Sequence, residues 1–326
     1  METMPPTVMK QLLESVTETE LRPGYEGANI GTIIGFKHVN YLVEAAVLRH
    51  FDAAGVPVGA LYEEHGLGFD VIELDTRLQT ALLVDDVVTA QVRPDTADDS
   101  AEFGFRVTLT VVRDGESKKA VTSKVRAQLR SDARVTDPHP VPEAMLRFVV
   151  DRIGDPAVSE LTDVAVAPGA DPVIAQLTEG RNAYAWKYRI PYFYCHFFER
   201  MQMSGYLRQM EEVVDLFLAD RGLSIKPLLD ERNWIPAVTA SRIRMLGETI
   251  MEEELYTVFT VQDVFKNLLY SARMDCYVVR DGALVHTATG TITHAYGVVE
   301  NGRHGRLVTF DDRVRDALDG KAAEVG

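Results

Sequence analysis

The chain has 326 residues, enough for two domains of ordinary size, with 46% hydrophobic and 25% charged residues. Its net charge of −15 and pI near 5.0 speak against nucleic-acid or anionic-membrane partners, which need basic surface. Two cysteines, Cys195 and Cys276, stand in no CxxC pair, which excludes a disulfide framework and fits a reducing cytoplasm. The N-terminal residues lack the basic-then-apolar pattern of a signal, and no apolar run approaches the roughly 18 residues of a membrane helix.

In chain order, Met9–Leu21 reads as a short amphipathic helix and Gly31–Phe36 as an apolar, Gly-containing strand. Tyr41–Ala54 reads as a helix with Leu42, Ala45, Ala46, Leu48 and Phe51 on its buried face, Asn40 as N-cap and Gly55 as its stop. Alternating stretches follow at Gly68–Leu74, Asp86–Val92, Phe103–Val112 and Ala120–Leu129, with Asp114-Gly115 as the turn between the last two. The Pro- and Gly-containing stretch 151–180 reads as a linker. The order then recurs: a strand at Tyr184–Tyr194, a helix at about Gly205–Asp220 with Ser204 as N-cap, and strands near Trp234–Leu246, Glu253–Val264, Leu268–Arg280 and Leu284–Tyr296.

The recurrence is also literal. Val-Val-Arg-Asp-Gly occurs at Val111–Gly115 and again at Val278–Gly282, an offset of 167. Tyr41-Leu42 matches Tyr206-Leu207, and Arg77-Leu78 matches Arg242-Ile243, at an offset of 165. The chain therefore divides into two copies of one unit, residues 1–150 and 181–326, each an antiparallel sheet around one long helix. Two such copies can pair their exposed edges into one sheet.

This order, with His38-Val39-Asn40, Tyr41-Leu42 and Gly66-Leu67-Gly68-Phe69 in copy one and Tyr206-Leu207 followed by Glu211-Glu212 in copy two, resembles the tandem, or double, hotdog fold. It is most similar to the acyl-CoA and acyl-carrier-protein thioesterase branch, of the 4-hydroxybenzoyl-CoA thioesterase type. The resemblance implies an α+β fold and a catalytic site at the interface of the copies, mainly in the C-terminal one. It also points to departures. The strand position that often carries Asp is Ile34 in copy one, and the helix position that often carries Glu is Ala46, so copy one looks chemically degraded. Counting back from Tyr206, copy two has His196 for the usual Asp and Arg200 for the usual His, and keeps Glu211.

Thioester chemistry needs a polarised carbonyl, an activated nucleophile and an apolar slot. A helix N-terminus supplies free N–H donors, and the resemblance assigns that role to the backbone of Gly205, Tyr206 and Leu207. Glu211, beside Met210 and Val214, is the candidate general base or nucleophile; the alternative is a solvated carboxylate near Arg208. His196, in an aromatic stretch, is a candidate acid or base that Glu199 could pair with, or else a structural histidine. His38, Asn40, Tyr62, His65, Tyr194, Arg200 and Trp234 are candidate substrate contacts, with N-capping the plain alternative for Asn40. No metal-ligand spacing, Walker loop or dinucleotide fingerprint occurs, so no metal or cofactor is expected beyond the CoA or phosphopantetheine of the substrate.

The leading expectation is hydrolysis of an acyl thioester, of CoA or an acyl carrier protein, in fatty-acid or polyketide metabolism. Hydration, dehydration or conjugate addition on an enoyl thioester is the second, with His196 and Glu211 shuttling protons. A non-catalytic acyl-thioester-binding module is the third. The expected partner is the thioester itself, with no nucleic acid and no membrane; a homodimer of double hotdogs is compatible with the pattern.

Overall fold

A computed structural model describes residues 6–162 and 166–320. Copy one contains α1 (Pro6–Glu14), β1 (Thr17–Leu21), α2 (Phe36–Ala53), α3 (Val58–His65), β2 (Leu67–Leu78), β3 (Val88–Pro94), β4 (Phe103–Arg113) and β5 (Glu116–Ser131). The connecting stretch carries β6 (Val149–Val150), β7 (Val158–Glu160) and α4 (Pro172–Thr178). Copy two contains β8 (Ala183–Arg189), α5 (Met203–Asp220), α6 (Ile225–Arg232), β9 (Trp234–Met245), β10 (Glu254–Phe265), β11 (Leu269–Arg280), β12 (Ala283–Glu300), β13 (Arg303–Leu307) and α7 (Asp312–Leu318).

The principal strands form one continuous sheet in the order β1-β3-β4-β5-β2-β9-β12-β11-β10-β8. Each copy wraps this sheet around its long helix. In α2, Phe36, Val39, Val43, Val47 and Phe51 recur at helical spacing and are all buried. In α5, Met203, Tyr206, Met210, Val213 and Phe217 do the same. The Asp-Gly turns stand as expected: Asp114 and Gly115 have φ of 54° and 79°, Asp281 and Gly282 of 51° and 74°, the left-handed pair that a two-residue hairpin needs.

Other boundaries differ from the sequence reading. Met9–Leu21 is not one helix: α1 ends at Glu14, and Thr17–Leu21 is an edge strand on β3. Gly31–Phe36 is not a strand. Ile33 and Ile34 make only isolated bridges, and α2 starts at Phe36 with Gly35 as N-cap. Asn40 is therefore no cap. It lies fully buried one turn inside α2, donating to Phe36 O at 2.9 Å and accepting from Thr76 Oγ1 at 2.6 Å. Likewise α5 starts at Met203 with Gln202, not Ser204, as N-cap. The strand read at Tyr184–Tyr194 ends at Arg189, and Tyr192–Tyr194 is a 3-10 turn. The stretch 151–180 is built against copy two: β7 pairs with β12, and Val173 and Leu177 of α4 share a small core with Ala185 and Val258.

The two copies are in register at 167 throughout, from helices (Phe36–Ala53 and Met203–Asp220; Val58–His65 and Ile225–Arg232) to loops (the bridges Ala28↔Ile34 and Cys195↔Met201). The matches at 165 are out of register by two residues. The structural counterpart of Glu211 is thus Glu44, not Ala46, and copy one keeps a helix carboxylate.

The copies join where β2 pairs antiparallel with β9, symmetrically about Asp75↔Arg242. Glu73 of β2 holds this seam from one side: it accepts from Arg242 Nε at 2.7 Å and Arg244 Nη1 at 2.6 Å. Burial pushes the Glu73 carboxyl up, but the bonds from Arg244 and Arg242 outweigh it and hold it below the usual carboxylate range. A carboxyl with a depressed folded-state pKa stabilises the fold above its unfolded pKa, and that contribution is lost as pH falls through the folded value. Glu73→Gln is therefore expected to lower stability by about 1–2 kcal/mol at pH 7, a figure kept small because Arg242 is more than half exposed. The difference from wild type should shrink in denaturant melts taken at progressively more acidic pH; an equal difference at pH 3 would refute this role.

Candidate functional site

A cavity of about 800 Å³ opens at the N-terminus of α2. Copy one lines it with residues 28–30 and 33–39 and the turn 78–82. Copy two lines it with Glu211, Val214 and Asp215 of α5, and Ile235–Thr239 of β9 with His294 of β12.

The helix end supplies donors. Gly35 N–H donates to Gly27 O at 2.9 Å, and the first intrahelical bond of α2 runs from Val39 N–H to Gly35 O at 3.0 Å. The N–H groups of Phe36, Lys37 and His38 therefore have no intrahelical acceptor, and Gly35 places no capping side chain over them. The Asn29 side chain lies close over Gly35: a Cβ there would come within 2.7 Å of Asn29 Oδ1, so a larger residue would have to displace that side chain.

Opposite stand two carboxylates one helical turn apart on α5, Glu211 and Asp215. Glu211 Oε2 lies 2.6 Å from Lys37 Nζ, so copy two's helix touches the first turn of copy one's. Asp215 has its carboxyl pushed up to about 7, by burial first and by the negative charges of Glu211 and Glu212 next. His38 lines the same cavity. Burial and then the Lys37 charge lower its pKa, so it is neutral at pH 7.

The pseudo-symmetric position, at the N-terminus of α5, is filled. Phe198 packs so tightly on Gly68 of β2 that a Cβ at Gly68 would sit 1.6 Å from its ring. The Arg200 guanidinium lies 3.6 Å from the Phe198 ring centroid and pairs with Asp70, both charges buried. Glu44 of α2, the counterpart of Glu211 in the register of 167, has its carboxyl raised to about 7 by burial.

The residues expected from the sequence fall into two groups. Glu211 and His38 line the open cavity. The rest lie elsewhere. Gly205 and Tyr206 N–H already donate to Gln202 O, at 2.9 and 3.4 Å, and the space at Gly205 is taken by Met201 and Tyr194, so no ligand approaches there. Leu207, on the same first turns, is buried in the core. His196 is exposed and its Nε2 lies 3.0 Å from Ser204 Oγ, while Glu199 pairs with Arg134 at 3.2 Å. His196 and Glu211 thus keep different company. Tyr62 donates to Asp132 at 3.0 Å and stacks on Phe197; His65 Nδ1 lies 3.2 Å from His139 O. Tyr194 and Arg200 belong to the plug, Asn40 to the core, and Trp234 packs near Tyr296 with Arg232 over its ring. Asp215, Lys37 and the free α2 donors were missed. Asp215 did carry a signal, being the one charged residue between Val213 and Leu218 and four residues after Glu211.

Neither cysteine is poised as a nucleophile: burial raises the Cys195 thiol to about 11 and the Cys276 thiol to about 12. The arrangement suits addition of water, with a carboxylate as base, to a carbonyl held by helix N–H groups.

No family model matches this sequence, and a search of curated proteins finds no match. Solved structures do align over most of it. A putative oleoyl thioesterase from Lactobacillus plantarum superposes with a TM-score of 0.58 at 14% identity, over 86% of this chain and 96% of that one. A 12:0-ACP thioesterase from Umbellularia californica gives 0.56 at 10%, over 89% and 94%. An acyl-ACP thioesterase from Bacteroides thetaiotaomicron gives 0.51 at 12%, over 86% and 97%. At these identities the likeness establishes the fold, a double hotdog.

A carboxyl whose pKa rises on folding opposes the fold increasingly above its unfolded-state value, and in full above its folded-state value. Asp215→Asn is accordingly expected to raise stability at pH 8 by on the order of 1–3 kcal/mol, and to gain far less at pH 4, close to the unfolded-state value where the effect begins. Thermal melts at both pH values check this; destabilisation at pH 8 would mean that Asp215 is a structural partner instead.

Proposed function

We propose that this chain hydrolyses acyl thioesters of CoA or of an acyl carrier protein, in the cavity between the two copies. The observation that carries this reading is the placement of Glu211 and Asp215 of copy two across one cavity from the free N–H groups that begin α2 of copy one. The thioester carbonyl accepts from these donors, and the partial positive charge of the helix end stabilises the oxyanion that develops; one such donor is worth roughly 3 kcal/mol in the transition state. Water is the nucleophile. Asp215, near half ionisation at neutrality, takes its proton as the C–O bond forms. The C–S bond then breaks and the proton goes to the leaving thiolate. Glu211, anchored to Lys37, orients that water and keeps the site's charge next to the helix end. The apolar side chains Ile33, Ile34, Val214, Ile235 and Val238 hold the acyl group. On this reading no cofactor is needed beyond the CoA or phosphopantetheine that the substrate brings. The alignment with three structures described as thioesterases supports the reading.

Thiol release from a panel of acyl-CoAs tests it. Asp215→Asn and Glu211→Gln are each expected to lower kcat by roughly 10²–10⁴-fold with the fold intact. Because the base must be ionised, kcat in the wild type should fall as pH drops through about 7, and this limb should vanish in Asp215→Asn. Absence of thiol release from every thioester would refute hydrolysis, and a mass gain on an enoyl-CoA without thiol release would replace it with addition.

A further inference from the structure

His294 lines the cavity on the β12 side, is 3% exposed, and neither of its ring nitrogens has a hydrogen-bond partner. Burial lowers its pKa to about 3, so the ring is neutral and offers one N–H donor and one bare acceptor. It stacks on Tyr270, with ring centroids 5.1 Å apart. Two residues along β12, the Tyr296 hydroxyl is also buried and unpartnered. The charge of Asp215 bears on both tyrosines.

The fold itself does not ask for these polar groups. In the register of 167, His294, Tyr296, Tyr270 and Asp215 correspond to Ala127, Leu129, Phe103 and Leu48 of copy one. Both copies have a register shift at this point of the sheet, beside His294 and beside Ala127, so the backbone frame is shared. Copy one fills the frame with apolar side chains, and its pseudo-site is plugged. Copy two puts polar side chains at all four positions, and its cavity is open. A buried polar atom without a partner destabilises a fold, and a polar group on a bound ligand would offset that cost at His294.

We infer that the acyl group bound here carries a hydroxyl, and that His294 recognises it. A hydroxyl can accept from the N–H of a neutral imidazole or donate to its bare nitrogen, so it can pair with whichever ring nitrogen faces the acyl group. The inference rests on the proposed acyl-thioester reading and narrows its substrate class from plain alkanoyl chains to hydroxylated ones.

The test compares a medium-chain acyl-CoA with its monohydroxylated derivatives, the hydroxyl moved carbon by carbon along the chain. Affinity is read by calorimetry and kcat/KM by thiol release. The wild type is expected to prefer one hydroxyl position over the plain chain by about tenfold or more. In His294→Phe, and in His294→Ala, which installs the residue of copy one, that ratio should fall to near one. Equal affinity and kcat/KM for plain and hydroxylated chains in the wild type would overturn the inference, as would a preference that survives in both variants. A hydroxyl preference in affinity without thiol release would leave the inference standing and refute hydrolysis. Hydrolysis of all chains at equal kcat/KM would do the reverse.

Discussion

Everything in this molecule depends on the pairing of β2 with β9. Five residue pairs, centred on Asp75↔Arg242, turn two half-sheets into one and fix the rotation that relates the copies. That rotation sets the long helices antiparallel on the sheet. The first turn of each then faces the middle of the other, as the contact between Lys37 and Glu211 shows. A carboxylate eight residues into one helix can thereby meet the free amides at the start of its neighbour. Neither copy alone could assemble that pair of groups.

Pseudo-symmetry offers two such meeting places, and side-chain volume decides between them. The loop before α2 reads Gly27, Ala28, Asn29, Ile30, Gly31; its counterpart before α5 reads Tyr194, Cys195, His196, Phe197, Phe198. The small loop leaves space over the helix end. The aromatic loop fills it, anchored by Phe198 on Gly68 and by the buried Arg200–Asp70 pair. The bonds that close the two loops correspond, Gly35 to Gly27 and Gln202 to Tyr194, while inside them Asn29 N–H donates to Ile33 O in one and Phe198 N–H to His196 O in the other, so the loops differ in local backbone as well as in packing.

The fold was legible because its signals are local. Strand alternation, the two Asp-Gly turns and the apolar faces of the long helices all follow from neighbours in sequence. The helix starts were not. The first turn of α2 is fixed by a bond between Gly27 and Gly35 and by Asn29 against Gly35, contacts that no capping residue announces. That Glu211 and His38 would share a cavity follows from the family likeness and from the motif around His38; their roles belong to the proposed function. The expected donors at Gly205 and Tyr206 failed because which of two equivalent helix ends is open depends on whether Met201, Tyr194 and Phe198 reach it, a question of tertiary packing. The chance matches at 165 compounded this. They shifted the comparison of the copies by two residues and hid Glu44 as the counterpart of Glu211.

Glu44 gives that asymmetry a wider meaning. It is the counterpart of Glu211, its carboxyl raised to about 7 by burial, and the start of α5, the counterpart helix end, is packed by Met201 and Tyr194. A symmetric dimer of identical chains must present both of its sites or neither. Joining the two copies in one polypeptide removes that constraint, so one helix end can serve as ballast while the other keeps its opening. On the proposed function, the stoichiometry is then built into the chain: one ligand for every two hotdog units, with no communication between subunits needed to enforce it.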